Sequence, residues 1–334
     1  MKTINWGMIG CGDVTEVKSG PAMYKAENSK LEAVFSRRIE KAKDYARRHN
    51  IPKVYEKVDD LIDDPEIDIV YIATPPESHK EYAIRCARKG KNIYIEKPMA
   101  HTHEDCLEIV EECKKNNTVV FVAYYRRAMQ RFIKIKQLID DNVIGHVRFV
   151  NVILHQEPAK EDYNRENLPW RLISKVAGGG KFLDMAVHTI DFLNFLFGSI
   201  SEINGKASNQ AELYEVEDIV TANWKFENGI HGTGTWCFTS FENYDNVEIV
   251  GSQGKIYFEF FSENPIYVKN KSGIKEYKYE NPQHVQEPFI QSIVNELIGS
   301  GKCSGDLESA VLTTKITDEI LKDYREQNGF NIIK

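Results

Sequence analysis

The first 125 residues alternate short apolar runs with amphipathic stretches, and this alternation limits the possible folds more than any other feature. Such a rhythm is typical of a parallel β-sheet whose strands are joined by helices. We therefore predict a doubly wound α/β domain. Its predicted strands are Ile4 to Ile9, Leu31 to Phe35, Lys53 to Tyr55, Ile67 to Ala73, Asn92 to Ile95 and Val119 to Ala123, and its predicted helices are Ile39 to His49, Ser78 to Arg88 and His103 to Lys115.

The rest of the chain is richer in long segments that mostly alternate apolar and polar residues, which predicts a large antiparallel sheet with one covered face. These segments are Val147 to Gln156, Asp218 to Phe226, Ile230 to Phe238 and Asn246 to Glu259, and the predicted helices are Arg131 to Ile139, Phe182 to Phe197, Pro288 to Ile298 and Leu307 to Arg325. A chain of 334 residues is long for a single hydrophobic core. We therefore predict two domains, residues 1–125 with the parallel sheet and residues 126–334 with an α+β fold.

Charge and composition exclude several classes of protein. The net charge is -7, and Lys and Arg are spread along the chain, so the basic patch of a nucleic-acid binder is not expected. No run approaches the roughly 18 apolar residues of a membrane span, and the first apolar run is too short for a signal peptide. The six cysteines form no Cys-x-x-Cys pair, which argues against a metal site. We expect a cytoplasmic protein without nucleic-acid or membrane partners.

A glycine-containing turn follows the first predicted strand. Gly10 permits a tight turn, and Gly12 lets backbone N–H groups approach a pyrophosphate at the start of the next helix. Thr15 stands at the third glycine position of such a turn, which predicts a looser contact between helix and strand. An ordinary tight turn is the alternative, but the place after the first strand favours a dinucleotide site. The residues expected to contact the cofactor are Gly10, Cys11, Gly12, Asp13 and Val14.

The end of the second strand bears on the choice of cofactor. An NAD site usually places Asp or Glu about 20 residues after the glycines, to accept from the ribose 2′-OH. This chain has Ser36, Arg37 and Arg38 there, and a hydroxyl with two guanidinium groups suits a 2′-phosphate. The sequence thus favours NADP(H), with NAD(H) possible. In the alternative interpretation both arginines are solvated residues at a helix start.

Two further segments carry groups suited to proton transfer. Glu96, Lys97 and Pro98 follow the fifth strand, at the sheet edge where ligands of open α/β sheets bind. Asp184 and His188 are four residues apart and therefore share one helix face, behind a run of three glycines. Oxidation of an alcohol needs a group that removes the O–H proton while hydride leaves the carbon, and both Lys97 and His188 can do this. The alternatives are a solvated lysine and a buried polar pair.

Together with the glycine turn, these segments resemble the family of glucose-fructose oxidoreductase and inositol dehydrogenase (Gfo/Idh/MocA) over nearly the whole chain. The resemblance implies that Lys97 polarises or protonates the substrate oxygen. It implies that His188 is the acid/base partner, and that Asp184 orients the substrate and holds His188 or Lys97. Asp191, one turn after His188, is expected to support the site from behind. The Trp170-Arg171 pair and the helix after the glycine turn resemble the 1,5-anhydrofructose reductase branch.

The same resemblance implies further contacts with the cofactor. The residues are Thr74, Pro75 and His79 after the fourth strand, Glu96 and Lys97, Arg126 after the sixth strand, and Trp170 with Arg171. His79 is expected near the nicotinamide ribose or else exposed at a helix start. Arg126 is expected to contact cofactor or to be structural only. Trp170 and Arg171 could instead form a cation–π pair at the surface.

The leading hypothesis is hydride transfer between NADP(H) and a carbonyl or secondary alcohol of a sugar, polyol or related small molecule. An NAD-dependent glycoside hydrolase that works by transient oxidation is one alternative. A non-catalytic NADP-sensing protein is another, disfavoured because Lys97, Asp184 and His188 are all present. A homo-oligomer, dimer or tetramer, is expected from the resemblance, through the outer face of the antiparallel sheet. Trp236 and Phe238 could contribute to that face or fill the core.

Overall fold

The computed structural model describes residues 2–330, and the chain divides into two compact units. The first unit contains the chain up to Met129 together with Asn281–Val311, and the second contains Gln130–Glu280 together with the chain from Leu312 onward. The first division lies close to the predicted boundary at residue 125. The sequence pattern predicts that the chain passes from the first domain to the second only once, whereas Asn281–Val311 belongs to the first unit again. Polar contacts described below account for this difference.

The first unit contains a six-stranded sheet in which all neighbouring strands are parallel. Its strand order is β3-β2-β1-β4-β5-β6, the order of doubly wound dinucleotide-binding sheets. The strands are β1 (Ile4–Ile9), β2 (Ser29–Phe35), β3 (Lys53–Tyr55), β4 (Ile69–Ile72), β5 (Asn92–Ile95) and β6 (Val120–Val122). The order reverses beside β1, so the turns that follow β1, β4 and β5 share one edge of the sheet. This is the predicted α/β architecture.

The helices lie close to their predicted positions, with short additional ones. They are α1 (Asp13–Val17), α2 (Gly20–Lys25), α3 (Ile39–His49), α4 (Val58–Asp63), α5 (His79–Arg88), α6 (His103–Lys115), α7 (Gln130–Asp140), α8 (Ser174–Ala177), α9 (Lys181–Phe197), α10 (Glu287–Leu297) and α11 (Leu307–Asn328). Local chemistry explains several ends. The Thr102 hydroxyl accepts from the Asp105 N–H at the start of α6, and Asn50 ends α3 in the left-handed conformation. None of the described helices meets the length and hydropathy that crossing a membrane requires.

The second unit contains an eight-stranded, mostly antiparallel sheet of order β14-β13-β12-β11-β7-β10-β9-β8, in which only β7 and β10 pair in parallel among the described strands. Its strands are β7 (Val147–His155), β8 (Ile200–Ser208), β9 (Ile219–Phe226), β10 (His231–Cys237), β11 (Tyr244–Gly251), β12 (Gly254–Phe258), β13 (Ile266–Asn270) and β14 (Gly273–Tyr277). The predicted fold class is confirmed for both units.

Aromatic side chains dominate the core of the second unit. Phe192 of α9 lies edge-on to Phe132 of α7 at 4.9 Å between ring centroids, and Phe182 is edge-on to Trp236 at 5.2 Å. Such pairs add to the stabilisation that burial alone provides. Trp236 and Phe238 are fully buried. The interpretation that they fill the core is therefore right, and neither can contribute to an outer face.

Candidate active site

The turn after β1 has the geometry that a diphosphate needs. Gly10 has φ +106°, and a Cβ there would lie 2.6 Å from the Ala73 carbonyl oxygen, so the turns after β1 and β4 touch through this glycine. Gly12 precedes α1, and a Cβ built on it would meet no heavy atom within 4 Å. No side chain caps the helix start. The start of α1, at exposed Asp13 and half-buried Val14, therefore has uncapped backbone N–H groups next to the open space at Gly12, an arrangement that can bind an anion.

Cys11 and Thr15 point inward from this turn. Burial raises the pKa of the Cys11 thiol to about 12, so the buried thiol stays protonated at neutral pH. Thr15 is fully buried, and its hydroxyl donates to the Gly12 carbonyl at 2.7 Å. The looser contact between helix and strand at the third glycine position stays a prediction, because this hydrogen bond lies within the turn itself.

At the end of β2, Ser36 is half-buried and Arg37 and Arg38 are exposed. The Arg37 guanidinium lies 3.8 Å from the Glu77 carboxylate, which follows β4, with 70% of the Arg37 side chain exposed. An ion pair of this length between exposed groups is weak. Arg37 therefore remains accessible to an anionic ligand, although Glu77 is a competing negative charge that the sequence pattern does not reveal.

His79 joins two loops at the carboxyl edge of the sheet. Its Nε2 contacts the Thr74 carbonyl oxygen at 2.8 Å and its Nδ1 contacts the Pro98 carbonyl oxygen at 3.0 Å, with the imidazole fully buried. Burial lowers the pKa of His79, opposed by the two carbonyl contacts. The exposed helix-start interpretation is wrong. Thr74 and Pro75 themselves are half-buried, and the Thr74 hydroxyl accepts from Ser78 at 2.8 Å.

Glu96 is a buried carboxylate held by two neutral donors. Its Oε1 accepts from the Tyr71 hydroxyl and from Gln286 Nε2, each at 2.7 Å. The Tyr94 hydroxyl donates to Gln286 Oε1 at 2.6 Å, and the Tyr71 hydroxyl also lies 3.0 Å from the Ser19 hydroxyl. Burial raises the pKa of Tyr71 and of Tyr94 well above the ordinary tyrosine range, so both are neutral donors. Glu96 thus faces the protein interior.

Lys97 is half-buried directly after Glu96, and the Lys97–Pro98 peptide bond is cis. Arg126, also half-buried, lies with its guanidinium carbon 5.7 Å from the centre of the Tyr125 ring. The neighbouring Arg127 is buried and donates to the Ser309 hydroxyl. In this unit the structure gathers the turn after β1, the Thr74 loop and the Glu96–Pro98 segment along one sheet edge.

The segment before α10 accounts for the unexpected return of the chain to the first unit. The Gln286 N–H donates to the Lys18 carbonyl at 3.1 Å. His284 donates through Nδ1 to the Val17 carbonyl at 2.7 Å and accepts through Nε2 from the Lys25 ammonium at 2.7 Å. These contacts, with the bond from Gln286 to Glu96, attach the segment to α1, α2 and β5. It therefore belongs to the first unit.

In the second unit, Arg171 connects two of the predicted site residues. Its guanidinium carbon lies 4.5 Å from the centre of the Trp170 ring, and its Nε donates to Asp184 Oδ2 at 2.8 Å. The cation–π interpretation of this pair is thus confirmed. Arg171 has 46% and Asp184 24% of its side chain exposed. The ion pair between Arg171 and Asp184 is not predicted by the sequence pattern.

His188 and Asp191 lie on α9. His188 is 6% exposed and its ring is 6.5 Å from that of Phe261, edge-on, and Asp191 is 2% exposed. Asp184, half-buried, lies one turn before His188 as the spacing of four predicts. Among residues 2–330, no three His, Cys, Asp or Glu side chains are grouped so that they could hold a metal ion.

Glu217 and Arg325 hold the three glycines that precede α9. Glu217 Oε1 accepts from the Gly180 N–H at 2.7 Å, and Arg325 donates to the Gly178 carbonyl at 3.0 Å. A Cβ on Gly180 would lie 2.6 Å from the Glu217 carbonyl oxygen, so only glycine permits this approach. Burial raises the pKa of Glu217 to about 7, against the lowering effect of the Gly180 N–H. The glycines thus allow the start of α9 to pack closely against Glu217.

Several of these contacts involve residues that the sequence pattern does not single out: Ser19, Tyr71, Glu77, Tyr94, Arg127, Glu217, His284, Gln286 and Arg325. Most act across long sequence separations, such as 190 residues between Glu96 and Gln286 and 267 between Val17 and His284. A polar residue within an apolar run, such as Tyr71 in β4 or Tyr94 in β5, is the one available signal. A buried hydroxyl needs a partner.

Comparison with known families agrees with both halves of the chain. Residues 4–124 match a family profile described as an oxidoreductase family with an NAD-binding Rossmann fold. Residues 132–257 match the C-terminal domain profile of the Gfo/Idh/MocA group. Oxidoreductase P35 of Formosa agariphila is 40% identical over 94% of this chain and 97% of its own length. Myo-inositol 2-dehydrogenase of Thermotoga maritima is 25% identical, over 82% and 80% respectively.

Solved structures share the fold. A levoglucosan dehydrogenase in complex with NADH and levoglucosan superposes with a TM-score of 0.87 at 24% identity, covering 98% of each chain. At this identity the likeness extends to the architecture alone.

Proposed function

Because the chain belongs to the Gfo/Idh/MocA family of oxidoreductases, we propose that it transfers a hydride between NADP(H) and a carbonyl or secondary alcohol carbon of a sugar, polyol or related small molecule. The relative from Thermotoga maritima, a myo-inositol dehydrogenase, supports a polyhydroxylated substrate. The observation that carries the proposal is the shared sheet edge in the first unit. There the open glycine turn after β1 and the Glu96–Pro98 segment after β5 lie on the same side of the sheet.

Each proposed role follows from a group's chemistry. When bound, NADP(H) supplies or takes the hydride. The N–H groups at Gly12, Asp13 and Val14 hold the diphosphate, a role supported by the uncapped helix start and the open space beside Gly12. Lys97 gives a proton to the substrate oxygen during reduction and removes it during oxidation, and His188 has the acid/base role that the family resemblance implies. Asp184 and Arg171 position the substrate hydroxyls.

Preference for NADP(H) rests on the Ser36–Arg38 segment. Two exposed guanidinium groups can bind a 2′-phosphate with charge-assisted hydrogen bonds. Glu77 beside Arg37 opposes that preference electrostatically. We propose that the arginines prevail, because Arg37 and Arg38 carry two positive charges and Glu77 carries one negative charge.

Activity is tested by mixing the purified protein with NADPH and a panel of keto-sugars, or with NADP⁺ and sugars and polyols, and following nicotinamide absorbance. Lys97→Ala should lower kcat/KM by about a hundredfold or more, the contribution expected of a positioned acid/base group. Lys89→Ala, which removes a surface lysine paired with Asp63, is the matched control. Full activity in the Lys97 variant contradicts the assigned role. Release of a free sugar from a glycoside without net cofactor turnover indicates the glycoside hydrolase alternative. Tight NADPH binding without any turnover indicates a non-catalytic NADP-sensing protein.

Cofactor choice is tested by thermal stabilisation. NADPH should raise the melting temperature more than NADH at equal concentration, because stabilisation grows with the logarithm of affinity. Arg37→Ala combined with Arg38→Ala should abolish the difference, and Arg47→Ala, on the exposed surface of α3, should leave it intact. Equal shifts with both nucleotides in the unmodified protein overturn the NADP(H) preference.

A further inference from the structure

Glu96 and Pro98, the two neighbours of Lys97, are each fixed to other parts of the first unit. On one side, Glu96 Oε1 is bound by Tyr71 and Gln286 at 2.7 Å each. On the other side, the Pro98 carbonyl contacts His79 at 3.0 Å. The residues immediately before and after Lys97 are therefore both held in place by hydrogen bonds.

The orientation of the Gln286 amide is set by its second contact. The Tyr94 hydroxyl lies 2.6 Å from Gln286 Oε1, and its pKa is raised by burial, so it acts as a donor there. The amide oxygen must then face Tyr94, and the NH₂ group must face the Glu96 carboxylate. Gln286 and Tyr94 are both fully buried, so water does not compete for these bonds. One rotamer of Gln286 satisfies both neighbours.

Removal of one donor from a buried carboxylate is costly. A buried polar group is tolerated when its hydrogen bonds are made, and loss of the Gln286 donor leaves the Glu96 oxygen with one bond fewer in an apolar environment. Glu96 is 8% exposed and so can regain a water contact only by shifting toward the sheet edge. Such a shift would carry the next residue with it.

We propose that Gln286 is a positioning residue for Lys97: oriented by Tyr94, it holds the Glu96 carboxylate inward and so fixes the backbone from which the Lys97 amine extends. The inference rests on the proposed function for the role of Lys97. The placement of the main chain is independent of that function. Gln286 reaches this position only because Asn281–Val311 returns to the first unit.

The test compares two glutamines of the same region. Gln286→Met removes both amide contacts at nearly constant volume. Gln291→Met, on α10, removes an amide that bonds to Glu27 and Asn295 at the surface, and serves as control. Tyr94→Phe is a milder second variant, because it frees the amide to rotate but leaves it in place.

The first readout needs no cofactor. Lysines of the unliganded protein are reductively methylated with ¹³C-formaldehyde, and the Lys97 resonance is identified by its loss in Lys97→Arg. Gln286→Met should move or broaden that resonance, Tyr94→Phe should do so less, and Gln291→Met should leave it unchanged. If Gln286→Met does not fold, Tyr94→Phe alone decides. An unchanged Lys97 resonance in every folded variant overturns the proposal.

The second readout separates positioning from stability. Per folded molecule, Gln286→Met should lower kcat by about tenfold to a hundredfold, the effect of misplacing a reacting group by roughly 1 Å. KM for NADPH should change less than about threefold, because the glycine turn is untouched. A rise in KM with kcat unchanged contradicts the inference. If the unmodified protein shows no nicotinamide-dependent activity, the proposed function fails, and the lysine resonance still tests the positioning role.

Discussion

Arg171 is the residue at which a stability role and a functional role can be separated most clearly. Its ion pair with Asp184 is partly exposed, and exposed pairs stabilise a protein by about 1 kcal/mol or less. Arg171→Ala should therefore lower the free energy of unfolding by less than about 1 kcal/mol. If Arg171 positions substrate, the same change should lower kcat/KM at least tenfold, about the value of one charged hydrogen bond.

The measurement pairs urea unfolding with steady-state kinetics. Arg165→Ala, which removes an exposed arginine that donates to the Glu212 carbonyl, is the control and should change neither quantity appreciably. A large loss of stability with unchanged kinetics in Arg171→Ala would make the pair structural.

Single residues also show what the sequence can and cannot predict. Gly10 and Gly12 are predictable, because their function depends on the backbone turn that directly follows a strand. His79 is not, since a histidine at a helix start gives no hint that its ring lies inside the protein between Thr74 and Pro98. That placement depends on β5 lying beside β4, a fact of the whole sheet. Residues are predicted well where their partners are local.

Glu217, which binds the glycine run before α9, predicts that the stability of the folded protein depends on pH. The pKa of Glu217 is raised by burial to about 7 in the folded protein, above its ordinary value of 4.5. The folded state therefore binds more protons than the unfolded state between roughly pH 4.5 and 7, and the contribution of Glu217 to stability is lost as pH rises through that window. The loss is on the order of 3 kcal/mol.

Glu217→Gln should remove this dependence, because an amide oxygen still accepts from the Gly180 N–H and does not ionise. Between pH 5 and 8 the melting temperature of the variant should fall less than that of the unmodified protein. Arg325 and Asp218 also act on this carboxyl and are unchanged in both proteins. Glu215→Gln, which alters a neighbouring carboxylate bonded to Ser174, is the control. Parallel pH curves for Glu217→Gln and the unmodified protein would contradict the assignment.

Helices and strands can be predicted from the sequence where the spacing of apolar residues follows the buried face of the element. The strands with a clear apolar pattern, such as β1 and β9, and the helices α3, α6 and α9 are found within a residue or two of the predicted ends. The sequence pattern does not predict β8, β13 or β14; β8 and β14 are the two edge strands of the larger sheet, and β13 is a short strand of five residues next to β14. β14 is almost entirely exposed, and β8 contains half-buried and exposed residues but no fully buried one. An edge strand with little buried surface has no reason to alternate apolar and polar residues.

For the whole molecule, we expect the segment Asn281–Val311 to be required for the full stability of the first unit. A fragment that ends at Met129 lacks Gln286 and His284, so Glu96 keeps only the bond from Tyr71 and the Tyr94 hydroxyl loses its bond to Gln286. Joining residues 281–311 to that fragment through a flexible linker should raise its free energy of unfolding by about 2 to 4 kcal/mol, the value of restored buried hydrogen bonds.

Urea unfolding of the two fragments provides the measurement. The linked fragment carrying Gln286→Met is the matched control and should lose most of the gain. Equal stability of the short and linked fragments would show that the return segment is dispensable. The sequence does not predict that α10 belongs to the first unit, because its residues have the pattern of an ordinary amphipathic helix. That pattern would be the same in either unit.

The separation of 190 residues between Glu96 and Gln286 also affects how the protein is made. At about 5 to 20 residues per second, a ribosome needs on the order of ten to forty seconds to pass from one to the other. During that interval the Glu96 carboxylate of the nascent parallel sheet has the Tyr71 hydroxyl as a donor and lacks the Gln286 amide. The first unit begins to emerge earliest but acquires its last internal bond only when most of the chain has been translated.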